Sequence, residues 1–132
     1  MRNRANQQRK AAAAAELAVL LPCIVFLLVI AVDYARILYF SQVVENCARQ
    51  GALYASDPKA PANNLYTSVQ AAALADAGGL NPQPTVTSTT GKDVAGNPYV
   101  AVTVTWQFKT ITGFPGVPNT TLTRTVQMRM AP

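Results

Sequence analysis

The chain has 132 residues, half of them hydrophobic, with a formal charge of +5 and no histidine. That length holds one small domain and an anchor, not two domains. The missing histidine removes the commonest base and metal ligand, and the basic excess does not point to nucleic acid. Arg2, Arg4, Arg9 and Lys10 account for four of the eleven bases, and beyond residue 10 seven bases face six acids. No basic face interleaved with aromatics is left to follow a phosphate backbone.

Residues 1–10, MRNRANQQRK, are polar and basic without apolar periodicity, and read as a leader that extends to Ala11. From Ala11 to Val32 the only charge is Glu16, and Leu17 to Val32 carries none. A membrane-spanning helix needs ~20 predominantly apolar residues, which this run supplies. A domain this small has too little other core to bury such a helix on every side. The bases precede the run and the far flank, Asp33 and Arg36, is balanced, so the amino terminus is expected in the cytoplasm and the carboxyl-terminal part outside. Pro22 lies within the run, where it removes a backbone hydrogen bond and bends the helix without ending it.

No Gly or Pro follows until Gly51, and Tyr34, Ile37, Leu38, Val44, Cys47, Ala48 and Ala52 recur at three-and-four spacing. The span is therefore expected to continue outward as an amphipathic helix to Ser56, where Asp57-Pro58 stops it. The predicted helix over 12–56 is a rod of about 67 Å at ~1.5 Å per residue. On one such helix Cys23 and Cys47 lie about 36 Å apart, beyond disulfide reach, so a free, packed thiol is expected at Cys47. A second helix is predicted over LYTSVQAAALADA, capped by Asn63 or Asn64 and ended by Gly78-Gly79.

The remainder alternates with a period of two. PTVTSTT, PYVAVTVTWQFKT and TLTRTVQMRM read as three strands, joined by a KDVAGNP turn and a TGFPGVPN loop. Val100, Val102, Val104, Trp106 and Phe108 share one face of the second strand, and Leu122, Val126, Met128 and Met130 one face of the third. Threonines dominate the opposite sides. An antiparallel sheet with one apolar face needs a cover, which the outer half of the long helix supplies. The expected fold is α+β: a long amino-terminal transmembrane and amphipathic helix on a three-stranded sheet, with a second short helix in a domain over 57–132.

Taken together, the basic tip, the stretch RKAAAAAELAVLLP, the helix DYARILYFSQVVENCARQGALYAS and the closing TLTRTVQMRM resemble TadE-like pseudopilins. These form the tight-adherence branch of the type IV pilus superfamily. The likeness covers the first 56 residues closely and the rest in architecture. It implies cleavage by a prepilin peptidase between Ala11 and Ala12, placing Glu16 fifth in the mature chain. Many prepilins carry glycine before that bond, and this chain has Ala11. The resemblance further implies anchorage in inner-membrane lipid and later assembly with other pilins or copies of itself. Glu16 would then meet the new α-amine at Ala12 of a neighbouring subunit. Leu17, Leu20, Leu21, Ile24, Leu27 and Leu28 would pack between helices, with Pro22 helping to set the register.

Other readings of the same residues fare less well. VLLPC lacks the small residue a lipidation box needs before Cys23, and most of the apolar run follows it. A signal peptidase site after Ala31 would release a secreted domain, but helical periodicity runs straight through it. Asn119-Thr120-Thr121 matches a glycosylation sequon, a match that chance accounts for. An unprocessed single-pass membrane protein whose exterior domain binds a partner is the alternative to a pilus subunit. An enzyme is not expected: Asp33, Glu45, Asp57, Asp76 and Asp93 form no paired-carboxylate spacing. No Gly-rich phosphate loop follows a strand and no cysteine cluster has metal spacing, so neither cofactor nor metal is expected.

Overall fold

The computed structural model describes residues 2–63, 65–111 and 119–131. Helix α1 (Arg2–Ser56) runs unbroken for 55 residues with Pro22 inside it, about 82 Å at ~1.5 Å per residue. The helical backbone thus extends through the segment read as a leader. Alanine and leucine favour this, and no glycine interrupts before Gly51. At the far end Ser56 Oγ donates to the Leu53 carbonyl (2.9 Å) and Asp57 Oδ1 accepts from Lys59 N–H (2.8 Å), closing the helix where Pro58 forbids its continuation.

The second helix predicted over residues 65–77 is the shorter α3 (Val69–Leu74), and a further short helix, α2 (Ala60–Asn63), lies just before the predicted stretch. Asn63 belongs to α2 and Asn64 lies outside the described residues. The cap of α3 is Ser68, in extended backbone with its Oγ accepting from Ala71 N–H at 3.1 Å. The helix stops at Leu74, before the two glycines. The following turn bonds Leu80 N–H to the Ala77 carbonyl (2.9 Å) and sinks Ala77 and Leu80 into the core. Burying those two side chains outweighs another helical turn.

Strands β1 (Thr85–Lys92), β2 (Pro98–Phe108) and β3 (Thr120–Arg129) form one antiparallel sheet in the order β1-β2-β3. In the register, Val102 pairs with Ser88 and Val126, and Trp106 with Leu122. Most of the loop predicted between β2 and β3, residues 112–118, lies outside the described residues. The fold is α+β, and the alternation read in β2 holds: Val100, Val102, Val104, Trp106 and Phe108 are all buried. On the opposite face threonines satisfy one another, Thr103 Oγ1 to Thr125 Oγ1 at 2.8 Å and Thr105 Oγ1 to Thr123 Oγ1 at 3.3 Å.

The outer half of α1 covers the apolar face. Val44, Cys47, Ala48 and Ala52 are fully buried against it, with Ile37, Phe40 and Val43 at the margins. Tyr34 and Leu38, predicted on this stripe, are 53% and 66% exposed. The sheet covers a narrower arc than the periodicity suggests, and its line on the helix passes through Asp33 and Phe40 instead.

Helix and sheet approach closely because small residues line the contact. A Cβ on Gly51 would sit 3.0 Å from both Ala73 Cβ and Val102 Cγ1. Gly51→Ala sets about 1 kcal/mol of helix propensity against roughly 1–3 kcal/mol of overpacking. Ala73 and Val102 are fully buried and have little room to yield, so the overpacking is expected to win. Thermal unfolding followed by circular dichroism should show a lower midpoint; a higher one would mean the helix relaxes away from the sheet at little cost.

Candidate functional site

Two regions carry chemistry or surface that the sheet does not use up: the inner half of α1 and its junction with the sheet. From Leu17 to Leu28 no other described residue covers the helix. Leu17, Leu20, Leu21, Ile24, Leu27 and Leu28 are exposed by 52–64%, and Val19, Val25 and Phe26, which point elsewhere, are exposed as well. A helix apolar all round has no stable state as a bare rod in water and requires lipid or other helices. It is the one helix among the described residues long and apolar enough to cross a membrane.

Glu16 opens this surface and is itself exposed, as are Ala11 and Ala12. Ala12 and Glu16 stand four residues apart and so share a face. The helix passes the bond between Ala11 and Ala12 without a break, and passes Ala31 likewise. Pro22 has no N–H to give the Ala18 carbonyl. The structure brings these residues together only as a linear surface, not as a cavity.

At the junction lies a residue the sequence reading treated as a mere flanking charge. Asp33 is 1% exposed, the one buried charged side chain among the described residues. Its Oδ1 accepts from Arg36 Nη1 at 3.3 Å and from Ile111 N–H at 3.4 Å. The Arg36 guanidinium in turn lies over the rings of Phe40 (5.7 Å) and Phe108 (5.2 Å). Burial of a carboxylate is tolerable with such partners and costly without them. The available signal was Asp33 and Arg36 at i,i+3 on the line of Ile37 and Phe40, a pattern shared with ordinary surface pairs.

Neither cysteine forms a disulfide. Burial, and secondarily the charge of Asp76, push the Cys47 thiol up, so it is a packed, unreactive thiol, in line with the sequence reading. Among the described residues no three His, Cys, Asp or Glu side chains converge as metal ligands.

The model of the TadE-like protein family matches residues 11–53. Along its long helix the chain is similar to TadE-like proteins. The matched stretch is about a third of the sequence and opens at Ala11, the residue before the expected cleavage. It takes in Glu16, the whole exposed apolar surface and the Asp33–Arg36 pair. The three-stranded sheet lies outside it. No curated protein and no solved structure matches the chain.

Proposed function

We propose that this TadE-like protein is a structural subunit of a tight-adherence-type pilus, a pseudopilin anchored in the inner membrane and assembled through its amino-terminal helix. The observation that carries this reading is the coincidence of the family match with a helix whose apolar side chains from Leu17 to Leu28 are uncovered on every side. Such a surface is stable first in lipid and then among like helices, which is what a subunit moving from membrane to filament requires. The four bases before Ala11 hold the amino terminus in the cytoplasm. Prepilin peptidase cuts between Ala11 and Ala12 and creates an α-amine. That amine, on a neighbouring subunit, neutralises Glu16 once lipid is left behind. The exterior α+β domain supplies lateral contacts, and the role is structural, not enzymatic.

Mass spectrometry of the chain recovered from membranes tests the reading. The expected mature amino terminus is Ala12. Recovery of Met1 would leave an unprocessed single-pass protein whose exterior domain binds a partner. Recovery of Val32 would show a secreted domain and end both anchored readings.

A further inference from the structure

The sheet descends alongside α1 towards the membrane end of the helix. A Cβ on Gly51 would lie 3.0 Å from Val102, the Phe40 and Trp106 rings are 5.0 Å apart, and Arg36 lies over Phe108. Six residues of strand at ~3.3 Å and fifteen of helix at ~1.5 Å both span about 20–22 Å, so the two elements keep pace. The descent ends where Ile111 N–H meets Asp33 Oδ1 at 3.4 Å. Asp33 is the first residue after the uncharged run that closes at Val32. If that run fills the hydrocarbon, the base of the sheet lies at headgroup depth.

The groups found at that level suit an interface. Ile111 is 72% exposed, and Tyr34 and Tyr39 on the adjoining helix are 53% and 63% exposed, the apolar-bodied, polar-tipped residues that settle at membrane boundaries. Asn119 Oδ1 accepts from Thr110 N–H at 3.1 Å and ties the two chain segments together there. Between them is a cleft of about 140 Å³ whose lining includes Gln107, Lys109, Asn119, Thr120 and Thr121. It offers an ammonium, hydroxyls and amides, and no carboxylate. That set recognises a phosphate monoanion or diester.

We propose that the base of the sheet is a lipid-binding foot. Ile111 and the two tyrosines insert at the headgroup boundary, Lys109 and the cleft beside it take a phospholipid phosphate, and the Asp33–Ile111 bond fixes the foot to the helix at that depth. The exterior domain therefore stands on the bilayer in one orientation before assembly. This rests on the apolar run being a membrane anchor, and the test separates the two claims.

The full chain in phospholipid vesicles carries a suitable reporter already, because Cys23 is exposed on the apolar run and Cys47 is buried. A nitroxide on Cys23 reports the anchor. In a Cys23→Ser background, labels at Ile111→Cys and Val94→Cys report the foot and the distal turn; Val94 is fully exposed and roughly 35 Å away along β2. Power saturation with oxygen and a water-soluble nickel chelate then gives depth. The expected result is Cys23 in hydrocarbon, Val94 in water, and a nickel collision rate at Ile111 several-fold below that at Val94, rising on Lys109→Glu. Equal rates at Ile111 and Val94 with Cys23 in hydrocarbon would overturn the foot and leave the anchor standing. Protection of Ile111 that appears only at high protein-to-lipid ratio would assign the surface to a second copy and overturn it too, as would a rate indifferent to Lys109→Glu for the phosphate contact. Cys23 in water would remove both claims together.

Discussion

Phe108→Ala is expected to cost the α+β domain about 3–5 kcal/mol, the range for deleting a buried aromatic. Phe108 is 1% exposed and lies at the base of the core, with ring centroids 6.1 Å from Phe40 and 6.2 Å from Trp106. It also carries the Arg36 guanidinium on its face. Truncation thus opens a cavity, removes two aromatic contacts worth about 0.5–1.5 kcal/mol each, and loosens the arginine that partners buried Asp33. Set against a total stability of roughly 5–15 kcal/mol for a domain, that loss leaves the variant marginal. Denaturant unfolding of the detergent-solubilised chain, followed by circular dichroism, measures it. Gln107→Ala is the control, one position along the same strand but exposed, and should stay within about 0.5 kcal/mol of the parent. A Phe108→Ala cost no larger than the control's would mean that the helix–sheet core at this end is not formed as described.

The second large effect falls on Glu16→Ala, and its sign differs between the two environments the helix is proposed to occupy. In lipid a carboxylate near the centre of the span costs ~2.5–3.5 kcal/mol and less towards the interface, so removing it leaves insertion intact or improves it. In the proposed bundle of helices the same carboxylate would be the partner of the Ala12 α-amine of a neighbouring subunit. Removing it leaves a buried α-amine unpaired, a loss of roughly 3–5 kcal/mol per contact. Repeated along a polymer, that is expected to abolish filament assembly. Membrane fractionation and filament yield, measured on the same cells, should therefore move apart: normal membrane content with no filament. Normal filament yield from Glu16→Ala would show that the acid is a hydrated surface group and that the packing of Leu17 to Leu28 alone drives association. Glu16→Gln tests charge against shape, since it keeps hydrogen bonding and should still fail.

Both expectations draw on features that differ in how far they could be read in one dimension. The uncovered span from Leu17 to Leu28 was legible, because an apolar run of that length in so small a chain has too little other core to bury it. The sheet was legible as well: alternation in Val100 to Phe108 is set by a side-chain period of two, which no distant contact can alter. The second helix is present but shorter than residues 65–77, whose local propensity favours one continuous helix. The actual break at Leu74 is decided by Ala77 and Leu80 entering a core assembled from other parts of the chain.

By composition and period alone, the sequence determined an anchor-length apolar helix headed by Glu16, a continuous amphipathic extension to Ser56, and three strands with one apolar face. These are properties of neighbours in the chain, and short-range sterics and hydrophobic patterning suffice for them. Only the tertiary structure decided which arc of the helix the sheet occupies, that Gly51 sits against Ala73 and Val102, and that Asp33 is buried with Arg36 and the Ile111 amide. Those facts depend on groups brought together across up to 78 positions of sequence. Whether a carboxylate beside a membrane is hydrated or enclosed is settled by what folds over it.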